Sequence, residues 1–158
     1  MLAYFCLFSK YYRNNKKQFF KTVENILLWD YNNSMEVWHF SDNKEQCDYL
    51  FDLVKNGEKT ATSYLFCGED FLRELNCVSQ ICNWDNTEKL LVKTTRIYKC
   101  KFCEIDKQHA QKEGEGDKSL EYWKAVHKDF FEKECQKIEK TFCEDTEIIC
   151  EEFEVIDK

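Results

Sequence analysis

The chain contains no proline and only four glycines in 158 residues. Without proline there is no rigid extended linker, and no repeat or low-complexity tract marks a boundary. One domain spanning residues 1–158 is therefore expected, a length that can bury a real core. So few glycines leave no phosphate-cradling glycine motif, and no zinc-protease helix motif is present. Histidine is scarce too. His39, His109 and His127 are the three present, none has a partner at metal spacing, and a packed or surface role is expected for each. No stretch approaches the roughly 20 apolar residues of a membrane span. The opening MLAYFCLF is short, has no basic residue ahead of it, and runs straight into Lys10, Tyr11, Tyr12 and Arg13, unlike a secretory leader. The expectation is a cytoplasmic protein with no membrane partner.

Aromatic residues make up 16% of the chain and charged residues 34%, so a packed core under a heavily solvated surface is expected. The net charge of −7 is unevenly spread. Residues 1–33 carry Lys10, Arg13, Lys16, Lys17 and Lys21 against Glu24 and Asp30, a sum of +3, which leaves −10 on the remaining 125 residues. An acidic body disfavours broad contact with a phosphate backbone but allows a small pocket for one nucleotide or base.

Ten cysteines in a reducing compartment act mainly as small buried hydrophobes. The alternative is a zinc site from Cys77-x4-Cys82 and Cys100-x2-Cys103, whose spacing is only loosely zinc-like.

Residues 4–12 and 16–29 read as two short helices, the second with Phe19, Phe20, Val23, Ile26 and Leu27 at helical spacing. Residues 1–33 are thus expected to form a helical segment laid over the core, with a basic arm that grips nucleic acid as the alternative. Asp42 with Glu45 makes a capping box for the next helix, whose apolar Cys47, Leu50, Phe51 and Val54 precede a stop at Asn56 and Gly57. TATSYLF, CVSQICNW and KLLVKTTRIYKCKF are rich in β-branched and aromatic residues and read as strands. Asp85, Asn86 and Thr87 supply the turn that makes the last two a hairpin. Asp106 caps KQHAQKE, and Asp117 or Ser119 caps a longer helix with Leu120, Trp123, Val126 and Phe130 as its apolar stripe. EIICEEFEVI is a final strand. This order is not the alternation of a parallel sheet. It predicts an α+β fold with a small, mostly antiparallel sheet or barrel flanked by helices.

Two segments present reactive groups without a packing purpose. In NGEKTATSY, Lys59 and several hydroxyls follow a helix end, though a lysine there is ordinarily solvated. In KEGEGDKSLEYW, Gly114 and Gly116 are interleaved with Glu113, Glu115 and Asp117. Glu113 falls at a helix C-terminus, where the dipole is expected to raise its pKa and suit it to acid–base work. Helix caps and solvated carboxylates explain the same loop more simply. His109 lies close enough to line a site there.

VWHFSDNKEQCDYLFDLVKNGEKTATS, VKTT, HAQKEGEGDKSLEYWKAVHKDFF and ICEEFEVI, in that order, resemble the ASCH domain proteins of the longer bacterial subgroup, over nearly the whole chain. The signature G-x-K-x-x-T-x-R is matched by Gly57, Lys59 and Thr62. Tyr64 replaces the arginine, Ser63 is the serine typical of the subgroup, and Ser41 stands where the family usually has glycine. The resemblance implies a PUA-like fold, a small β-barrel with helices around it and a cleft for RNA or a modified base. Some small members are amidohydrolases of N4-acetylcytidine, and their catalytic set resembles Lys59, Thr62 and Glu113, the last placed by the pattern HAxxE. Gly57, Ser63, Glu115, Ser119, Tyr122 and Trp123 are then expected to line the substrate site, with Tyr122 or Trp123 stacking on a base.

Thr62 would attack or position water, Lys59 would act as base or stabilise the oxyanion, and Glu113 would shuttle a proton. In a regular strand, however, Lys59 and Thr62 point to opposite faces, so this set requires a bulge between them. Another member resembles a single-stranded-RNA ribonuclease, which would use the same cleft and a divalent cation on its carboxylates. A non-catalytic module that binds RNA or a modified base is the third alternative. The amidohydrolase and binding readings need no cofactor.

Overall fold

A computed structural model of the chain describes residues 35–68 and 73–157. The two helices expected within residues 1–33 lie outside the described residues. Chain order is β1 (Val37–Trp38), α1 (Lys44–Lys55), β2 (Ala61–Leu65), β3 (Val78–Cys82), β4 (Lys89–Lys101), a 3-10 turn (Phe102–Glu104), α2 (Lys107–Glu113), α3 (Leu120–Lys137) and β5 (Glu147–Asp157).

The strands form one five-stranded sheet in the order β1-β3-β4-β5-β2, with β1 parallel to β3 and every other pair antiparallel. The fold is α+β, as expected. The barrel is not closed. Among the described residues β1 and β2 are the two edges of an open sheet and do not pair with each other. The long β4–β5 ladder forms its spine, with register shifts at Leu91/Val92 and Thr94/Arg96 that bend it.

Hydrophobic burial divides between the two faces. Phe51 and Val54 of α1 pack with Ile81, Leu90, Val92 and Phe153. Ala110 of α2 and Trp123, Phe131 and Cys135 of α3 pack with Leu65, Phe102, Ile105, Ile148 and Cys150. β5 serves both cores because alternate residues point to opposite faces: Ile148 and Cys150 go to one, Phe153 and Val155 to the other.

The caps follow side-chain chemistry, with one correction. Asn43, not Asp42, caps α1 by accepting from the Gln46 N–H, and Gln46 stands in the third helical position where Glu45 was expected. Asn56 and Gly57 end that helix as predicted, Gly57 with φ +77°. Asp106 caps α2 through the His109 N–H, and Ser119 caps α3 through the Tyr122 N–H. The hairpin turn is held by Asn83, whose side-chain oxygen accepts from Thr87 and Glu88 N–H, with Asn86 in the left-handed region. No helix of the described residues is long and apolar enough to cross a membrane.

Candidate functional site

Backbone hydrogen bonds bring the two sequence-distant segments together. Beyond α1, the Glu58 and Lys59 N–H groups both donate to the Leu53 carbonyl. The next N–H, from Thr60, donates to the Lys112 carbonyl at 2.7 Å, which fastens this segment to the last turn of α2. Gly114 completes the junction. It has φ +73°, and a Cβ there would lie 2.2 Å from the Glu58 carbonyl oxygen. Only glycine permits both that conformation and that approach.

Lys59 and Glu113 consequently meet in the interior, each 1% exposed. Lys59 Nζ donates to Glu113 Oε2 at 2.6 Å and to Glu115 Oε1 at 2.8 Å, with the Glu113 carbonyl at 3.4 Å. The Phe40 ring centroid lies 5.4 Å from the same nitrogen. The other carboxylate oxygen, Glu113 Oε1, accepts from Ser63 Oγ at 2.8 Å, Trp123 Nε1 at 2.9 Å and His109 Nε2 at 3.1 Å, and His127 Nε2 is 3.5 Å away.

These contacts fix the neighbouring rings. His109 Nε2 lies 2.7 Å from Ser63 Oγ as well as 3.1 Å from Glu113, so its N–H is shared between them, and its Nδ1 accepts from the Tyr98 hydroxyl at 3.1 Å. His127 Nδ1 donates to the Trp123 carbonyl, and its ring stacks on that indole at 4.1 Å.

The electrostatics reverse one expectation. Burial opposes ionisation of Glu113, but Lys59, His127 and the His109 hydrogen bond outweigh it and hold the carboxyl well below its usual range. The helix C-terminal dipole predicted a raised value, and the buried ammonium overrules it. For Lys59, burial likewise opposes the charged form, and Glu113 and Glu115 overcome it, so its pKa is raised. The site is an ion pair, not a neutral lysine poised as a base.

Of the residues singled out in the sequence, Lys59, Ser63, Glu113, Glu115 and Trp123 converge here. Trp123 does so in a different capacity from the one expected. Its ring is 2% exposed and covered by His127, so it offers no face to a base, and its N–H holds Glu113 instead. Thr62 does not join them. The β2–β5 ladder runs in regular register from Ala61 to Leu65, with Thr62 opposite Glu151, so no bulge turns it toward Lys59. Residues 59, 61 and 63 share one face, and Ser63 supplies the hydroxyl. Glu151, across from Thr62, accepts from Thr94 Oγ1 at 2.7 Å and lies 3.5 Å from the Arg73 guanidinium. On that face Arg73 supplies the positive charge near Tyr64, which stands where the signature has arginine.

Gly57 acts as a helix stop in open space. The Ser119 hydroxyl is used by its cap. Tyr122 is 38% exposed, its ring lies against Gly116, and it is joined there by Tyr49, 45% exposed, whose hydroxyl accepts from the Gly116 N–H. The sequence reading missed Tyr49 and the role of His127. The available signals were the i,i+4 spacings His109–Glu113 and Trp123–His127, which stack side chains on one helix face.

Glu113, Glu115 and His127 are the one group among the described residues with three ligand atoms close enough for a metal ion. The Lys59 ammonium already bridges its two carboxylates and supplies the cationic charge there. Cys77, Cys82, Cys100 and Cys103 form no such group among the described residues.

Comparison with known proteins agrees with this architecture. The chain is similar in fold to an ASCH domain from Lactobacillus crispatus JV V101, at 24% identity and a TM-score of 0.74, covering 99% of this chain and 96% of that one. It is similar to a protein from Enterococcus faecalis V583 at 23% identity and a TM-score of 0.70, covering 99% and 90%. A hypothetical protein aligns at 21% identity and a TM-score of 0.51, covering 77% of this chain and 98% of that one. No curated protein sequence matches. The ASCH domain model matches residues 36–157, which takes in every element described above, and the chain belongs to the ASCH domain family.

Proposed function

We propose that this protein acts on RNA or a modified nucleoside at the Lys59–Glu113 centre, as an amidohydrolase of the N4-acetylcytidine type. The observation that carries the reading is the buried ion pair itself, with Glu115 as its outermost member and the exposed rings of Tyr49 and Tyr122 beside the Gly116 turn. A base stacks on such rings irrespective of its sequence. The excess of acidic residues favours a single base over a long phosphate track.

In this scheme the substrate's acyl oxygen displaces the Glu115 carboxylate and takes its hydrogen bond from Lys59. Water attacks the acyl carbon, and Glu113 accepts the water's proton. The negative charge that develops on the acyl oxygen is stabilised by the ammonium. As Lys59 shares its charge with that oxyanion, Glu113 becomes basic enough to hold the water's proton; when the carbonyl re-forms and the C–N bond breaks, the full ammonium charge again favours the carboxylate, and Glu113 delivers the proton to the departing amine. Ser63, His109 and Trp123 hold Glu113 in place throughout. Thr62 has no part in this scheme, and Ser63 takes the position of the hydroxyl.

The test incubates the purified full chain with N4-acetylcytidine and with short single-stranded RNA, with and without chelator. Release of cytidine and acetate that is lost in Glu113→Gln and Lys59→Met supports the proposal. Chelator-sensitive RNA cutting, or nucleoside binding without turnover, replaces it with a ribonuclease or with a binding module.

A further inference from the structure

The β4–β5 ladder carries a thiol pair that the centre does not use. Tyr98 stands opposite Cys150 and Cys100 opposite Ile148, so the two cysteines are diagonal neighbours on one face of the sheet. Their sulfurs are 3.8 Å apart. They differ in access. Cys100 is half-buried and lines a surface cavity of about 190 Å³ together with Arg96, Tyr98, Glu104, Asp106 and Lys112. Cys150 is fully buried behind it.

They differ in proton affinity as well. The hydrogen bond with Cys150 lowers the Cys100 pKa against the opposing effects of burial and of the Glu104 and Asp106 carboxylates. That same bond, with burial, pushes the Cys150 thiol up. An accessible sulfur that favours the thiolate, backed by a protonated partner, is the arrangement of an attacking and a resolving cysteine.

From this geometry we infer that Cys100 and Cys150 form a reversible disulfide on reaction with a hydroperoxide that enters the cavity. The Cys100 thiolate attacks the peroxide, an S–O bond forms as the O–O bond breaks, and the alcohol or water leaves with a proton. Cys150 then attacks the sulfenic sulfur, an S–S bond forms as the S–O bond breaks, and water departs with the Cys150 proton. Two thiols are oxidised by two electrons and one peroxide is reduced.

Diagonal neighbours in a sheet have Cα atoms about 7–8 Å apart, beyond the roughly 4.4–6.8 Å of a relaxed disulfide. The bridge therefore requires the β4 and β5 backbones to draw together locally, and a disulfide held against that movement is readily reduced, the property of a labile disulfide and not of a structural one. The consequence reaches the ion pair. Cys150 Sγ is 3.9 Å from Ser63 Oγ, which donates to Glu113, so bridging draws away one neighbour of the hydroxyl that holds the carboxylate. This inference does not depend on the reaction proposed above.

The full-length chain is treated with hydrogen peroxide, its remaining thiols are alkylated, and its peptides are mapped by mass spectrometry without reduction. The expected result is a Cys100–Cys150 cross-linked peptide that dithiothreitol reverses and that is absent in Cys100→Ser. In Cys150→Ala the Cys100 sulfenic acid is trapped by dimedone. Should that buried variant fail to fold, the wild-type map and Cys100→Ser still decide. Cross-links confined to other cysteines, over-oxidation of Cys100 with Cys150 left as a thiol, or no reaction at either sulfur would overturn the inference.

Discussion

Replacing Glu113 with glutamine removes one charge from a pair whose side chains are each 1% exposed. The amide cannot satisfy its surroundings in either orientation. With its oxygen toward Ser63, His109 and Trp123 it keeps those three donors, but its NH2 then faces the Lys59 ammonium, donor against donor. Flipped, it satisfies Lys59 and strands the other three. Breaking a buried ion pair from one side costs about 3–5 kcal/mol. Glu115 remains 2.8 Å from Lys59 and retains part of the compensation, which places Glu113→Gln near 3 kcal/mol on that scale. Lys59→Met leaves the carboxylate with its three remaining donors, and a similar loss of about 3 kcal/mol is expected. For a chain of this size each loss corresponds to a fall in Tm of about 6–12 °C.

The informative measurement is the double variant. Lys59→Met with Glu113→Gln leaves only Glu115, 11% exposed, as a carboxylate without its ammonium, keeps the three donors satisfied, and fills the space with groups of similar volume. Replacing both partners of a buried pair is often neutral. The double variant is therefore expected to be more stable than either single one in urea unfolding followed by fluorescence and circular dichroism. Additive losses in the double variant, or single losses under about 1 kcal/mol, would refute the premise that burial makes the two charges interdependent.

The same pair gives stability a pH dependence with a definite sign. The folded-state pKa of Glu113 is depressed, so its contribution is present above the unfolded carboxyl value of about 4.3 and is lost as pH falls through the folded value; acid unfolding of Glu113→Gln should lack that component. The Lys59 pKa is raised from 10.5, so its contribution is full below that pH and fades as pH rises beyond it; an alkaline titration of Lys59→Met against wild type isolates it. Gly114→Ala places a side chain 2.2 Å from backbone, whereas Gly116→Ala places one 2.3 Å from the movable Tyr122 ring. Both incur roughly 1–2 kcal/mol for left-handed backbone, and urea unfolding should show the larger loss for Gly114→Ala. Tyr49→Ala and Tyr122→Ala should each weaken binding of an N4-acetylcytidine-containing oligonucleotide by about 1–3 kcal/mol, roughly five- to 150-fold, while leaving Tm nearly unchanged; unchanged affinity in both would remove these rings from the binding surface.

The sequence is informative wherever one local rule decides the structure. Asn56 and Gly57 end a helix, Asp106 begins one, Ser119, of the two candidates with Asp117, begins the next, and the β-branched runs at 61–65, 78–82 and 89–101 stand as strands. The caps went wrong at Asp42 because Asn43, its neighbour, bonds the backbone as well and the helix starts one residue later. Whether the sheet closes is not a local property. It depends on how far the two edges β1 and β2 travel from each other, which no run of residues encodes.

At the site the dividing line is the same. Lys59 and Glu113 are paired by the resemblance to the family, but their protonation depends on being buried against each other, and the sequence of the two segments carries no information on burial. A helix-end glutamate in water has its pKa raised by the dipole, and the same glutamate beside a desolvated ammonium has it lowered. Thr62 and Ser63 illustrate the period-two rule at work. The alternation that sends Lys59 inward also sends Ser63 inward and Thr62 away, and only an interruption of the β2–β5 ladder could reverse it. That ladder is unbroken over all five residue pairs, so the hydroxyl nearest the charges is decided by strand parity and not by the match to a signature.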